Sequence, residues 1–301
     1  MSLTIDEAIA RVPMWQGKAV RHSHLGGGIT NENFRVEVDG EAFVLRLAGK
    51  DTELLGIDRE NEFAAHSAAA KLGIAPEILH FIRPEGYLIT RFVDGRPIPV
   101  EEMRKPQNVR RAAGALRQVH DMPAIKGTFS AFAVVDAYTE LGRRHNASFP
   151  ENFAWLLERK REIAEAVRPE AVTPRPCHND LLNGNFLDDG QLRILDWEYA
   201  GMGDPFFDLA NFAVNHKFSD GEDRILLKSY FGEVAGGRLA RLKLMKMMSD
   251  FREAMWGVVQ SGISALDFDF AGYARLHFGR MTRAFDDPRW GDWLKEARQD
   301  A

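Results

Sequence analysis

The chain alternates hydrophobic and polar positions early and shifts to a helical period later. Between residues 21 and 50 Phe34, Val36 and Val38 alternate with polar neighbours, Asp39-Gly40 follows, and Phe43 to Leu47 form a second apolar run. An Asp-Gly pair between two such runs predicts a β-hairpin. Before it, residues 1–20 read as a short amphipathic helix and a connector. After it, residues 58–72 are Ala-rich, with Phe63, Ala64 and Ala68 on a helical period and Gly73 as a stop. Ile78 to Ile82 and Tyr87 to Val93 read as two further strands around a turn at Pro84-Glu85-Gly86.

Asp94-Gly95-Arg96-Pro97 closes this β-rich part, which places a lobe boundary there: an N-terminal lobe over 1–93 and a C-terminal lobe over 94–301. The remainder is mainly helical. Val109, Ala112, Ala113, Leu116, Val119 and His120 share one helical face, and Leu156, Ile163 and Val167 another. Residues 171–200 interrupt the pattern with Pro174, Pro176, turns and short strands. Helices then return, and Leu242, Met245, Met248, Met255 and Val259 predict a long buried stripe. A β-rich first third and a helical remainder predict an α+β architecture with its active site in the cleft between lobes.

With 301 residues the chain suits one two-lobed domain or two domains, and 45% hydrophobic with 28% charged residues is ordinary for a globular protein. The net charge of −5 argues against a nucleic-acid partner, which calls for a basic surplus. A single cysteine, Cys177, forbids an intramolecular disulfide and fits a reducing compartment. Met1 to Ala10 already carries Asp6 and Glu7 and lacks the basic start of a signal peptide, and no stretch reaches the ~18 apolar residues of a membrane span. The expected location is the cytoplasm.

The strongest chemical signal is Cys177-His178-Asn179-Asp180-Leu181-Leu182-Asn183-Gly184-Asn185, followed by Leu192-Arg193-Ile194-Leu195-Asp196. It reads as a polar loop, a turn at Asp189-Gly190, and a strand delivering Asp196 at its end. Phosphoryl transfer needs a carboxylate to orient the attacking hydroxyl and accept its proton, and hard oxygen ligands for Mg²⁺. Asp180 supplies the first. Asn185, five residues on, and Asp196 supply the second, in the H-x-D-x-x-x-x-N order of protein kinases. Loop and cap duty is the plainer reading of such residues one at a time, but it leaves their joint spacing unexplained.

Leu25 to Phe34 contains Gly26-Gly27-Gly28 followed by Thr30 and Asn31. Glycines admit backbone N–H groups to phosphate oxygens, and Thr30 and Asn31 add donors. A glycine-rich hairpin is more often only a turn, and no Walker A lysine follows. Arg46 stands on the next strand, where a kinase carries its phosphate-contacting cation, with Glu62 on the following helix as its partner. Asp204-Pro205-Phe206-Phe207-Asp208 reads as a helix start, Asp204 capping it, with Asp208 holding the loop of His178.

Together these residues resemble the choline/ethanolamine kinase family of the aminoglycoside-phosphotransferase and protein-kinase-like superfamily. Gly27 to Asn31 is similar to its nucleotide loop and Val44-Leu45-Arg46 to its phosphate-contacting strand. Cys177 to Asn185 resembles its catalytic loop, and Asp196-Trp197-Glu198-Tyr199-Ala200-Gly201 its metal-binding segment. The resemblance runs from about residue 20 to about 285. It implies a protein-kinase-like two-lobed fold, a small β-rich N-lobe and a larger mainly helical C-lobe. It also implies ATP and Mg²⁺ as cofactors and a small cationic alcohol as substrate, with adenine meeting the segment of Arg91 and Phe92.

By the same resemblance Glu198, Tyr199, Trp256, Phe268 and Tyr273 would wall the acceptor pocket. Aromatic faces and carboxylates suit a quaternary ammonium, which cannot donate a hydrogen bond, although aromatics at helical spacing are commonly core. Choline kinases tend to carry a second tryptophan where this chain has Glu253, which points toward a smaller amine or another cationic alcohol. A kinase for thiamine or an aminoglycoside, a nucleotide-binding pseudoenzyme and a helical scaffold are the competing readings. Only the kinases account for Asp180, Asn185 and Asp196 together.

Overall fold

A computed structural model describes residues 3–26 and 28–300, the side chain of Asp300 excepted. Helix α1 (Ile5–Ala10) opens with a capping box between Thr4 and Glu7. Strands β1 (Val20–Leu25), β2 (Glu32–Val38) and β3 (Glu41–Leu47) follow. The β2–β3 turn closes at the Val38–Glu41 pair, with Asp39 at φ 53° and Gly40 at φ 85°. Two consecutive positive φ values are what the tight hairpin turn matched to strand twist requires. Helix α2 (Arg59–Lys71) starts at Asp58, whose carboxylate accepts from the amides of Glu60 and Asn61.

Strands β4 (Ile78–Ile82) and β5 (Tyr87–Arg91) complete an antiparallel sheet in the order β1-β2-β3-β5-β4. Its apolar face packs Val36, Val38, Phe43, Leu45 and Ile89 against Ala8, Val12 and Trp15. Strand β5 stops two residues short of the predicted end. Two-residue β6 (Arg96–Pro97) lies in the stretch predicted to be a bare boundary.

Short helix α3 (Val100–Met103) leads into α4 (Pro106–His120), α5 (Ala131–Arg144) and α6 (Phe153–Val167), then β7 (Arg175–Cys177). The predicted faces of α4 and α6 are the buried ones. Strands β8 (Phe186–Asp188) and β9 (Leu192–Ile194) form a hairpin, and β8 pairs with β6. Strand β10 (Gly201–Gly203) pairs with β7 and precedes α7 (Pro205–Asn215), α8 (Asp220–Phe231), α9 (Gly236–Ile263), α10 (Phe270–Phe285) and α11 (Trp290–Asp300).

The chain packs as two compact units, Met1–Ile98 with Gly184–Tyr199, and Pro99–Asn183 with Ala200–Ala301. Residues 184–199 join the first unit through the β6–β8 ladder and through Ile194, whose amide donates to Ile74 O at 2.8 Å.

Helix α9, with 28 residues, is the axis of the second unit. Leu242, Met245, Met248, Met255 and Val259 are all buried, as the stripe predicts. So are Arg241, Lys243, Asp250, Arg252 and Glu253. The helix is enclosed on several sides, and its charges are tolerated because they are paired: Lys243 with Asp220 and Asp223, Arg241 with Asp204. Among the described residues no helix is long and apolar enough to cross a membrane.

Candidate active site

In the first unit the β8–β9 hairpin brings the backbone of Asn185 to that of Leu195, the neighbour of Asp196. Leu195 N donates to Asn185 O at 2.8 Å, which joins the start of the hairpin to its end. Asp196 follows at φ 60°, a left-handed conformation that a non-glycine residue adopts at a cost of order 1–3 kcal/mol. Trp197, wholly buried, anchors the turn by donating its indole N–H to Ile194 O at 3.0 Å.

The Asp196 carboxylate faces Arg46, whose Nη1 donates to Oδ1 at 3.1 Å. The other end of the same guanidinium pairs with the buried Glu62. Burial works against the charge of Arg46, but Glu62, Asp196 and Glu198 outweigh it and hold the guanidinium more firmly charged than usual. Arg59, which the sequence reading did not single out, extends the network. Its Nη1 donates to Glu62 at 2.8 Å and to Glu198 at 3.1 Å, and its Nη2 to Thr52 Oγ1 at 3.0 Å. Asn31 Nδ2 donates to Glu198 at 3.0 Å and Asn31 Oδ1 accepts from Gly49 N at 3.1 Å.

The residues predicted for nucleotide binding therefore separate into groups. Arg46, Glu62 and Asp196 are joined directly. The Asn31 side chain is engaged in holding Glu198 and the Gly49 backbone, and Glu198, predicted to line the acceptor pocket, lies in this same network at 5% exposure. Gly28 adopts φ 84° and Thr30 is half-buried. Gly27 lies outside the described residues. The Arg91 side chain is exposed and pairs with Glu77 at 3.1 Å, and Phe92 lies under the guanidinium of Arg35 at 4.7 Å. The amides of Arg91 and Phe92 donate to Glu77 O and Ala42 O. Tyr199 is half-buried at the end of this unit.

In the second unit Asp208 clamps the loop that carries Asp180. Its Oδ2 accepts from His178 N at 2.8 Å and its Oδ1 from Asn179 N at 2.7 Å. His120, read from the sequence only as part of a helical face, donates from Nε2 to Asp208 at 3.1 Å while its Nδ1 meets Tyr230 OH at 2.6 Å. Asn211, one turn beyond Asp208, accepts from Leu181 N at 2.5 Å. His178 Nδ1 accepts from Asp180 N at 3.2 Å. Cys177 is buried beside this loop, and burial pushes its thiol well above the ordinary range.

Asp180 itself, 6% exposed, accepts from Arg252 Nη1 at 3.2 Å. Beside Arg252, Glu253 accepts from Tyr273 OH at 2.8 Å, and Tyr273 leads to an aromatic group. Its ring lies 5.3 Å from Trp256 and 6.1 Å from Phe268, and Phe270 lies 5.6 Å from Trp256. Helices α9 and α10 come this close because Gly257 has no side chain. A Cβ there would stand 2.9 Å from Phe270 O. Trp256, Phe268 and Tyr273 are thus brought together in the unit that holds Asp180.

Residues 22–242 match the model of the phosphotransferase enzyme family. The chain belongs to this family. A crystal structure of a choline/ethanolamine kinase family protein from Mesorhizobium loti superposes with a TM-score of 0.84 at 31% identity, over 98% of this chain and 99% of that one. Ethanolamine kinase 2 of Rattus norvegicus is 27% identical across 90% of this chain and 78% of its own length. The choline kinase LicA of Streptococcus pneumoniae, at 20% identity and a TM-score of 0.75 over 93% of this chain and 97% of that one, shares the fold. This phosphotransferase thus falls in the choline/ethanolamine kinase branch, a family of small-molecule kinases acting on an alcohol group, with a protein-kinase-like fold of a β-rich N-terminal and a helical C-terminal portion.

Proposed function

We propose that the protein transfers the γ-phosphoryl group of ATP, with Mg²⁺, to the hydroxyl of choline, ethanolamine or a related amino alcohol. The observation that carries this reading is the Glu62–Arg46–Asp196 ion triad beside Asn185, a cation and a hard-oxygen pair set on one framework.

The donors fit Mg²⁺. An amide oxygen and a carboxylate are the hard ligands it prefers, and Asp196 keeps 28% side-chain exposure although Arg46 holds one oxygen. Bound there, Mg²⁺ would neutralise charge on the phosphate oxygens. Asn185 and Asp196 would hold it. Arg46, oriented by Glu62, would contact the phosphates, helped by the backbone around Gly27, Gly28 and Thr30 and by Asn31 as the residue that fixes this turn. A base meeting the segment of Arg91 and Phe92 would use groups other than their two amides, which already donate within the sheet. Asp180 would orient the acceptor hydroxyl for in-line attack and receive its proton. Trp256, Tyr273 and Phe268 would offer ring faces to the acceptor's cationic end, with Tyr199 adding to the wall. Cytoplasmic location fits this substrate class.

The test is Mg²⁺-dependent ADP release from ATP against choline, ethanolamine, other small amino alcohols, thiamine and several aminoglycosides, with Asp180→Asn as control. Turnover with one amino alcohol, lost in the control, is expected. Turnover only with thiamine or an aminoglycoside would keep the phosphate chemistry and overturn the aromatic wall. ATP binding with no acceptor-dependent turnover would favour a pseudoenzyme.

A further inference from the structure

Helix α9 carries Arg252 and Glu253 in succession, 1% and 2% exposed, between Phe251 and Ala254 and close to the buried Asp250, which pairs with His277 and Arg280. Burying a guanidinium is costly unless it is well paired, and an apolar side chain of similar volume is commonly as stable or more so. Stability alone therefore gives no reason for Arg252. Its contacts do. One nitrogen, Nη1, donates to Asp180 at 3.2 Å and to Glu253 Oε1 at 2.7 Å.

Glu253 is in turn fully engaged by protein: Oε1 by Arg252, with Asn211 Nδ2 at 3.5 Å, and Oε2 by Tyr273 OH at 2.8 Å. Burial opposes ionisation of Glu253, but Arg252 and His277 outweigh it and the carboxyl is held below its usual range. Glu253 is thus a support for Arg252 and not an open carboxylate awaiting an ammonium, which alters the meaning of the residue that departs from the choline kinase pattern.

We propose that Arg252 is a positioning residue for Asp180, fixing the rotation and charge of the carboxylate that orients the acceptor hydroxyl. This rests on the reading of Asp180 given above. At 1% exposure the guanidinium has no access to substrate, so it acts through Asp180. A carboxylate tied to a fixed cation is a weak base and a well-aimed acceptor. That suits a loose phosphoryl-transfer transition state, where alignment matters more than early proton removal.

The test compares wild type, Arg252→Met and Arg252→Lys as full chains. Arg252→Met should lower kcat about 30-fold or more with acceptor KM within about threefold, and Arg252→Lys should recover about a third or more of the lost activity on a logarithmic scale. The carboxyl ¹³C resonance of Asp180, identified by its loss in Asp180→Asn, should move in Arg252→Met and move less in Arg252→Lys. A raised KM with unchanged kcat would overturn the proposal in favour of a pocket-shaping role. An unmoved resonance, or a lysine variant that folds and is no better than methionine, would overturn it in favour of a structural role. Should Arg252→Met fail to fold, the lysine variant alone decides, by lowered kcat at unchanged KM. If wild type turns over no acceptor, the proposed function fails while the Asp180 resonance still decides whether Arg252 governs that carboxylate.

Discussion

Arg46 and Asp196 stand 150 positions apart in the chain and 3.1 Å apart in the structure, with Glu62 on the far side of the same guanidinium. Removing the cation leaves Glu62 buried with Arg59 as its remaining partner. Arg46→Met should therefore cost about 2–3 kcal/mol, below the full penalty for a buried carboxylate left alone. It should also raise KM for ATP about tenfold or more. Urea unfolding and initial rates at varied ATP read the two effects. A stability loss with unchanged ATP kinetics would confine Arg46 to a structural part.

Asp208→Ala removes the acceptor for two consecutive amides and for His120. Each buried donor left without a partner costs about 1–3 kcal/mol. A loss of roughly 3 kcal/mol or more in denaturant unfolding is expected, with kcat falling more than acceptor KM rises, because the freed loop is the one that carries Asp180. Asp208→Asn keeps the shape and should lose less stability than Asp208→Ala.

Acid should weaken the fold in two stages. His216 donates from Nδ1 to Phe212 O at 2.7 Å, yet burial brings its pKa down from 6.5 to about 4. Between those values the unfolded chain binds more protons than the native one, so stability rises with pH across that window and falls as pH drops from 6.5 toward 4, by up to about 3 kcal/mol. Glu222, whose burial is outweighed by the Ser219 hydroxyl and amide and by Arg104, and Asp220, bound by Lys243 and Arg289, both sit at about 2. Their contribution is present above the ordinary carboxylate range and is lost as pH falls toward 2. Unfolding free energy from pH 3 to 8 should show the upper stage, and His216→Gln should flatten it.

Gly257→Ala places a methyl group against Phe270 O and the Ala274 side chain. Helix α10 must retreat, carrying Tyr273 from Trp256. Acceptor KM should rise about fivefold or more with ATP kinetics unchanged. A change confined to KM for ATP would sink the placement of the acceptor against these rings.

The hairpin at Asp39-Gly40, the stop at Gly73 and the apolar stripe of α9 were legible because each is dictated by local backbone geometry or by period. The pairing of Arg46 with Glu62 was legible from the order of kinase parts. Arg59 was not, since a charge at the start of a helix reads as solvated until the fold surrounds it with Glu62, Glu198 and Thr52. Arg252 and Glu253 carried a readable signal, charges set among the apolar positions of a helix that also bears Asp250, but their partners Asp180 and Tyr273 lie 72 and 20 residues away. The β6 strand escaped notice because two residues have no period, and its partner β8 is distant in sequence.

Cys177 stands three residues before Asp180, buried and held as a thiol, and it is the protein's single cysteine. A sulfhydryl reagent can reach it only during the moments when the surrounding fold comes apart. The rate at which an alkylating dye attaches under native conditions is thus a stopwatch for excursions of the segment that bears Asp180. Slowing of that clock by nucleotide or by an amino alcohol would tell how far each ligand quiets this stretch of chain, with no isotope label and no engineered probe.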